Sequence, residues 1–494
     1  MQAEMVKQQI LEIFQDLDVI IIPKSSSGDV NHNVPLSALE GSDFFTEEIF
    51  NALKTGEADI AVHSLKDMSA THFFSHDAFA VVDRDDVRDL AIFNADVLDK
   101  IAAGLPLRIG TCSPRREKMA MGFLKKALPQ LGKEIQLEIK AIRGNVEGRL
   151  HQLDTGNYDG TILATAGLNR LLKSENGLSD TDGEKIGIHK LLATKQLMLL
   201  PIIECVPAPC QGAIVAEADP KNIDARAILN AINKPALFEE VYAEKKLAFQ
   251  YGTGCLQKFG VTTIRNKHIH SLYAAGEDKD GVKFDEWSTL PNFKFDEKTF
   301  FSTITYMKDF FQYEYAQEIS PVNRPCVFVA NYKPLQHPAM QQMLSNKLVW
   351  ASGTKTWFEL SKLGYWVQGS ADSLGFEELL SVISMPIFNT KVSDITILTH
   401  EEAAERWKAN GIDAVSLYRL LPKNDDNVIE QMKKAKTIFW TSYAQFKYYG
   451  KYIKKDAMHI TPSGETASLL KQQGITPIIF PTIKAFNIWQ KKNT

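Results

Sequence analysis

One local pattern recurs three times and limits what the chain can fold into. "FNALKTGEADIAV", "LHQLDTGNYDGTILA" and "RWKANGIDAVSLY" each run from an amphipathic helix through a glycine (Gly56, Gly156, Gly411) and an aspartate (Asp59, Asp159, Asp413) into a short apolar strand. Glycine ends a helix in the left-handed turn that other residues resist, and the compact polar residues after it redirect the chain into a sheet. This is the αβ half of a βαβ unit. The first two copies lie one hundred positions apart, which predicts two similar α/β lobes rather than one large sheet. Flanking strands are read at "DVIIIP", "LRIGT", "LMLLPIIECV" and "GAIVAEA". Between two such lobes a cleft is expected past the carboxyl ends of the strands, where small ligands bind.

With 494 residues the chain exceeds one core and should divide into three or four domains. The spans expected are 1–86 with 198–217 for lobe 1, 87–197 for lobe 2, 218–296 for a small α+β domain and 320–494 for a C-terminal α/β region. In the third, "PALFEEVYAEKKLAFQYG" reads as a helix, and "VTTIRNKHIHSLYAAGEDKDGVKFDEW" as strands joined by a hairpin turn. Residues 297–325 read as a helix and a Pro-containing linker. After it, "CVFVANY", "LVWASGT", "DITILT", "AVSLY", "TIFWTS" and "TPIIF" alternate with helices. The formal net charge of −4 provides no basic excess for nucleic acid or an anionic membrane, so anion binding must come from locally placed Arg and Lys. The opening "MQAEMVKQQILEIFQDL" carries acids within an amphipathic helix and fits neither a secretory signal nor a membrane span. Five scattered cysteines make no disulfide framework or CxxC metal motif, and no metal is expected. A cytoplasmic monomer without nucleic-acid or membrane partners is the expectation.

The chemistry concentrates in four places. "AVHSLKDMSA" ends an apolar strand in His63, Ser64, Lys66 and Asp67, at the strand end where a doubly wound lobe presents its site. An isolated Lys-Asp pair is more commonly a surface ion pair. In "LRIGTCSPRREKMA" a strand turns through Gly110, Ser113 is placed to cap, Pro114 suits the first helical position, and Arg115 and Arg116 occupy the first turn. Cations there oppose the helix dipole, an arrangement that suits an anion docked on the free backbone N–H groups. "IRGNVEGRL" places Arg143 before an Asn145 cap and Arg149 in the first turn, and "AGLNR" supplies Arg170. Together these arginines and Lys66 suit a ligand with several carboxylates, which guanidinium grips in a two-pronged geometry. Finally, "YGTGCLQKFG" presents Cys255 between glycines, as a nucleophile or attachment point. The other cysteines, 112, 205, 210 and 326, are read as buried apolar fillers, and His63 as a structural residue.

In this order, "ADIAVHSLKD", "GTCSPRR", "IRGNVEGRLHQLDTGNYDGTILATAGLNRL", "PAPCQGA" and the "TGC" loop resemble porphobilinogen deaminase (hydroxymethylbilane synthase) over roughly residues 2–290. The resemblance implies two periplasmic-binding-protein-like lobes plus a cysteine-bearing third domain. It also implies a transferase of porphyrin, heme and tetrapyrrole biosynthesis that joins four porphobilinogen units into a linear tetrapyrrole. Its dipyrromethane cofactor would be held by a thioether to Cys255. Asp67 matches the catalytic aspartate; Ser64, Lys66, Ser113, Arg115, Arg116 and Arg149 match cofactor contacts; Arg143, Arg149 and Arg170 match substrate contacts. Two departures stand out. The family's opening strand, with its RxGTRxS-like sequence, precedes the position matched by Met1, so either an upstream start or a lobe without a central strand is expected. Ser42 and Glu47 stand where the family usually has lysines.

Residues 320–494 resemble uroporphyrinogen-III synthase more loosely, at "ASGTKTWFELSKLGYWV", "GIDAVSLYRLLPK", "TIFWTSYAQF" and "PSGETASLLKQQGITPIIF". That resemblance implies a cyclase half, with Tyr418, Thr441 and Ser442 as substrate contacts. The rival reading is a noncatalytic bilobal binding protein for a carboxylated small molecule, which would have no need of Cys255.

Overall fold

Gly56, Gly156 and Gly411 all adopt the left-handed conformation, with φ of 71°, 74° and 76°. Each passes the chain from a helix (Glu47–Lys54, Val146–Asp154, Glu401–Ala409) into a strand (Ile60–Ser64, Gly160–Ala164, Ala414–Pro422). The computed structural model describes residues 1–24, 47–68, 78–175, 187–252, 257–306, 308 and 310–493. By its contacts the chain forms two units. The first is Met1–Lys126, Gln130–Thr263 and Leu272–Glu286; the second is Ala127–Pro129, Ile264–Ser271 and Trp287–Thr494.

The first unit holds two α/β lobes. In lobe 1, Ala213–Ala218 is the middle strand, with Ile60–Ser64 and Phe79–Arg84 antiparallel on its two sides. All six residues of that middle strand are buried, as an apolar run covered on both faces should be. Val6 and Ile10 of the helix Gln2–Ile13 pack with Ala80, Val82, Ile214 and Leu229 to cover one face. Lobe 2 has five strands in the order Leu137–Lys140, Leu107–Gly110, Gly160–Ala164, Asp89–Phe93, Gln196–Leu199. The first two pairings are parallel, and Asp89–Phe93 runs antiparallel to both its neighbours. A three-stranded antiparallel sheet follows, with His270–Glu277 between Gly260–Arg265 and Lys283–Trp287. The carboxylate of Asp278 accepts from Asp280 N and Val282 N at 2.9 and 2.8 Å, closing the hairpin turn the sequence predicts.

Two expectations are corrected. "DVIIIP" forms no strand: Ile20 and Ile22 are 75% and 47% exposed, and among the described residues Ile60–Ser64 pairs only with Ala213–Ala218. An apolar run without an edge to pair with gains no ladder. Nor are residues 297–325 a helix and linker. Phe300–Ser302 pairs with Thr437–Phe439, and Phe311–Tyr315 with Ala414–Pro422. The aromatic residues drive this, since Phe301, Phe310 and Phe311 are all buried in one cluster with Trp440 and Tyr449. The second unit thus has a four-stranded parallel sheet, Phe300–Ser302, Thr437–Phe439, Met458–Pro462 and Ile478–Phe480. Its six-stranded sheet is parallel except at the Phe311–Tyr315 edge.

The aspartate of the recurring turn anchors it to the neighbouring strand. Asp159, 1% exposed, accepts from Arg108 N, Nε and Nη2 at 2.7, 2.9 and 2.9 Å and from Lys100 Nζ at 2.6 Å. Burial alone would raise its pKa, but Arg108 and Lys100 hold it well below the usual carboxylate range. Asp159→Asn is therefore expected to lower the unfolding free energy by about 1.5–3 kcal/mol at neutral pH. Because the folded-state pKa is depressed, that contribution is present above about pH 4 and lost as pH falls through the folded value. Urea midpoints of parent and variant should converge in acid; a gap independent of pH would mean that the charge is not what stabilises the turn.

Candidate functional site

The strand Ile60–Ser64 alternates half-buried and buried positions. His63 lies on the buried side, 3% exposed, with Nε2 2.9 Å from Glu217 Oε1 and its ring 5.6 Å from that of Phe50. It is a packed core residue, as its position on the strand predicts. Ser64 ends the strand half-buried, and a short 3-10 turn, Leu65–Asp67, buries Leu65 while leaving Lys66 half-buried and Asp67 exposed. Continued pleating would put Asp67 on the buried face of His63 and Leu65; the 3-10 turn breaks that alternation and delivers Asp67 to solvent just past the strand's carboxyl end. Burial pushes the Lys66 ammonium below its ordinary pKa; Arg116 and Arg115 add to this, and Asp67 and Asp89 oppose it.

The second arm is the loop after Leu107–Gly110, followed by the helix Pro114–Ala127. Arg115 and Arg116 are 4% and 9% exposed. Arg115 donates from Nη2 to Asp89 Oδ2 at 2.8 Å and from Nη1 to Val206 O at 2.7 Å. Arg116 donates from Nη2 to Asp89 Oδ1 at 2.8 Å and from Nη1 to Ile162 O at 2.9 Å. The anion that two arginines in a first turn call for is in part internal: a buried carboxylate at the start of the Asp89–Phe93 strand. Arg116 Nε remains buried without a hydrogen-bond partner among the described residues. Ser113 lies beside them, its Oγ 3.4 Å from Arg116 N.

The third arm is the helix Val146–Asp154, capped by Asn145 accepting from Gly148 N at 2.8 Å. Arg149 Nε donates to Gly144 O at 2.7 Å. Burial and then Arg116 hold the Arg149 pKa below its ordinary value, while Cys112 and Asp67 oppose the shift. Lys66 is thus within electrostatic reach of Asp67, Arg116 and Arg115, and Arg149 within reach of Arg116 and Asp67. Arg143 sits half-buried just before the Asn145 cap, its carbonyl accepting from Gln152 Nε2 at 3.0 Å. Arg170 has different partners: 5% exposed, it donates to Gly212 O and lies 3.6 Å from Asp83, and the charges acting on it are Asp85 and Asp83. Cys205, Cys210 and Cys326 are buried as expected, but Cys112 is half-buried, with Sγ 3.1 Å from Ile142 O. It lies just past the end of the strand Leu107–Gly110. Cys255 and Ser42 lie outside the described residues, as does the side chain of Glu47.

Sequence reasoning missed Asp89, Gln211, Glu217 and Glu244. Their signal was present: each is a polar or charged residue within or bordering an apolar run, and a buried charge requires a partner.

In the second unit Tyr418 is 3% exposed, packed among Tyr313, His400 and Tyr315 at ring distances of 5.6, 6.0 and 6.4 Å. Burial pushes its phenol above the ordinary range. Thr441 Oγ1 bonds Gln445 Oε1 at 2.9 Å, and Ser442 caps the helix Tyr443–Tyr449. A cavity of about 360 Å3 lies elsewhere in this unit, lined among others by His268, Phe376, Glu377, Arg406, Glu465 and Ser468. Several of its polar groups pair with one another: Lys267 with Glu377, Arg406 Nη2 with Glu465 at 2.9 Å, and His268 Nε2 with Ser468 Oγ at 3.0 Å, while Arg406 Nε is buried without a partner among the described residues.

A family model described as "Porphobilinogen deaminase, dipyromethane cofactor binding domain" matches residues 1–227. Curated porphobilinogen deaminases of Citrifermentans bemidjiense and Chromobacterium violaceum are 32% and 34% identical over 285 and 260 residues. Those alignments cover 57% and 52% of this chain and 80% and 74% of the two relatives. The chain belongs to the porphobilinogen deaminase family. Dipyrromethane is accordingly the cofactor of this deaminase, and the transferase reaction and tetrapyrrole biosynthesis read from the motifs stand with it. A solved Streptococcus mutans structure, from work on glutathione import, aligns with a TM-score of 0.25 and 12% identity over 52% of this chain and 88% of its own; so low a score supports no conclusion. Among the described residues of the deaminase, no helix is long and apolar enough to cross a membrane, and no group of three or more His, Cys, Asp or Glu is placed to hold a metal.

Proposed function

We propose that the first unit condenses porphobilinogen into hydroxymethylbilane through Asp67, on a dipyrromethane held by Cys255, and that the C-terminal half cyclises the product. The observation carrying the first part is the convergence of exposed Asp67 with half-buried Lys66, Arg149 and the Arg115–Arg116 pair. The donor set fits a ligand bearing acetate and propionate groups: cationic, partly desolvated, and with Arg116 Nε unpartnered among the described residues. When bound, dipyrromethane supplies the pyrrole carbon to which the first porphobilinogen is joined. In each addition the C–N bond of an aminomethyl group breaks and ammonia leaves, a C–C bond forms, and the attacked carbon loses its proton. Asp67 faces the positive charge that develops when the amine departs; its carboxylate accepts from the pyrrole N–H, stabilises the delocalised cation and takes up the proton. Ser64, Lys66, Ser113, Arg115, Arg116 and Arg149 hold the cofactor carboxylates, and Arg143 and Arg149 those of incoming substrate, while Arg170, held by Gly212 O and Asp83, is left out of that set.

The cyclase part belongs to the second unit. What supports it is the pattern of helix starts matching the resembling segments: Gly353 opens Thr354–Lys362, Ser442 caps Tyr443–Tyr449 and Gly464 opens Glu465–Gln472. Hydroxyls and free N–H groups at such starts can hold carboxylates, with Tyr418, Thr441 and Ser442 as contacts. A noncatalytic binder would need neither Asp67 nor a covalent adduct, and relatives named as deaminases weigh against it.

One preparation tests both parts. Purified protein should be heavier than its sequence by one dipyrromethane, and Cys255→Ser should weigh the bare chain; an unmodified wild-type mass would overturn the deaminase reading. Cyclised product from the same chain should have one ring inverted, and release of only the uninverted isomer would remove the cyclase half.

A further inference from the structure

The carboxylate of Asp89 is the common partner of the two arginines. It lies at the crossover from lobe 1 to lobe 2, in the first position of the strand Asp89–Phe93, and is 1% exposed. One oxygen accepts from Arg115 Nη2 and the other from Arg116 Nη2, both at 2.8 Å. Gln211 Nε2, from the returning crossover, adds a third bond at 3.0 Å and also donates to Val87 O at 2.6 Å. Each guanidinium is fixed at its other Nη by a backbone carbonyl, Val206 O or Ile162 O. With both Nη groups of each arginine held, the planes cannot rotate, and Arg116 Nε has one available direction.

We infer that Asp89 is a positioning residue for cofactor loading: it orients the Arg115–Arg116 pair toward a ligand carboxylate, with Gln211 linking that orientation to both lobe crossovers. The inference rests on the deaminase reading. It competes with a simpler account, in which Asp89 only neutralises charge. Orientation and charge predict opposite signs. If charge alone mattered, removing the carboxylate would leave two uncompensated guanidiniums and strengthen anion capture. If orientation matters, the same change frees both planes to rotate and weakens capture, because the gain from a two-pronged contact depends on preset geometry.

The test uses the full chain, with Asp89→Asn, Asp89→Glu and Gln211→Leu compared with wild type below their thermal midpoints. Intact mass gives the fraction of chains carrying the dipyrromethane adduct, and steady-state kinetics with porphobilinogen give kcat per loaded chain and KM. In Asp89→Asn the loaded fraction should fall about tenfold or more, with kcat per loaded chain changed much less. Asp89→Glu should recover most of the loading, since it restores the acceptor. Gln211→Leu, which keeps the ion pairs, should shift loading in the same direction by a smaller factor; it decides the matter if Asp89→Asn does not fold. Full loading with only a lower thermal midpoint would reduce Asp89 to a structural role, and increased loading would establish the charge account; either overturns the inference. A wild-type chain without adduct would instead sink the deaminase reading, so the two failures are distinguishable.

Discussion

Asp67→Ala is expected to lower porphobilinogen turnover about a thousandfold while leaving the covalent adduct and the thermal midpoint essentially as in wild type. The magnitude is that of a positioned acid-base and charge-stabilising group. The selectivity follows from geometry: Asp67 is exposed at the end of a short turn whose buried anchor is Leu65, so removing its carboxylate opens no cavity and strands no buried donor. Ammonia release measured beside intact mass separates chemistry from loading. A fall in turnover of less than about tenfold would remove Asp67 from its role, because other groups would then be supplying the stabilisation. Asp67→Asn should resemble alanine, since the amide keeps an acceptor for a pyrrole N–H but can neither balance the cation nor take up a proton.

Glu244→Ala should produce the largest loss of stability in the first unit, about 3–5 kcal/mol, the usual consequence of leaving a buried charge without its partner. Glu244 is 0% exposed and Arg84 is nearly as buried. The carboxylate takes a two-pronged grip from Arg84 at 2.9 and 2.8 Å and accepts from Cys210 N at 2.9 Å and Thr263 N at 2.6 Å. One side chain thus ties together the last residue of the strand Phe79–Arg84, the "PAPCQGA" loop and the start of the antiparallel sheet. Burial and then the Glu244 charge push the neighbouring Cys210 thiol up to about 12, which keeps it protonated. At about 2–4 °C per kcal/mol, the thermal midpoint should drop by about 10 °C. Replacing both partners with apolar residues, Arg84→Met with Glu244→Leu, should be less damaging than Glu244→Ala, because it removes both desolvation penalties along with the attraction. If the double variant is as unstable as the sum of the singles, the ion pair is not the source of the effect. Glu244 also lies on the helix Pro235–Tyr251, which leads directly into the segment carrying Cys255.

The comparison of "GTCSPRR" with its surroundings shows where sequence reading reaches its limit. The cap, the Pro at the first helical position and the two arginines of the first turn were legible, because capping and dipole effects act within a few residues. That the arginines required an anion was legible too. That Asp89 is that anion was not: its bonds to them span 26 and 27 positions and form only once the strand Asp89–Phe93 lies in the sheet. Arg170 illustrates the converse. It has the same residue type and a similar local setting as Arg149, yet packing turns it toward Asp83 and Gly212. "DVIIIP" has strand composition but finds no edge among the described residues, while the aromatic stretch before Pro321 looked like a connector and supplies strands to two sheets.

What the sequence alone determined is whatever depends on neighbours along the chain: the three glycine turns, the α/β class, the apolar strand that ends at Ser64 just before Lys66 and Asp67, and the motif order that identifies the family. Tertiary structure decided which charges meet. A carboxylate and a guanidinium 160 positions apart, as in Glu244 and Arg84, carry no mutual signature in sequence. Their pairing is selected only when folding removes water from both and leaves each the other's best available partner.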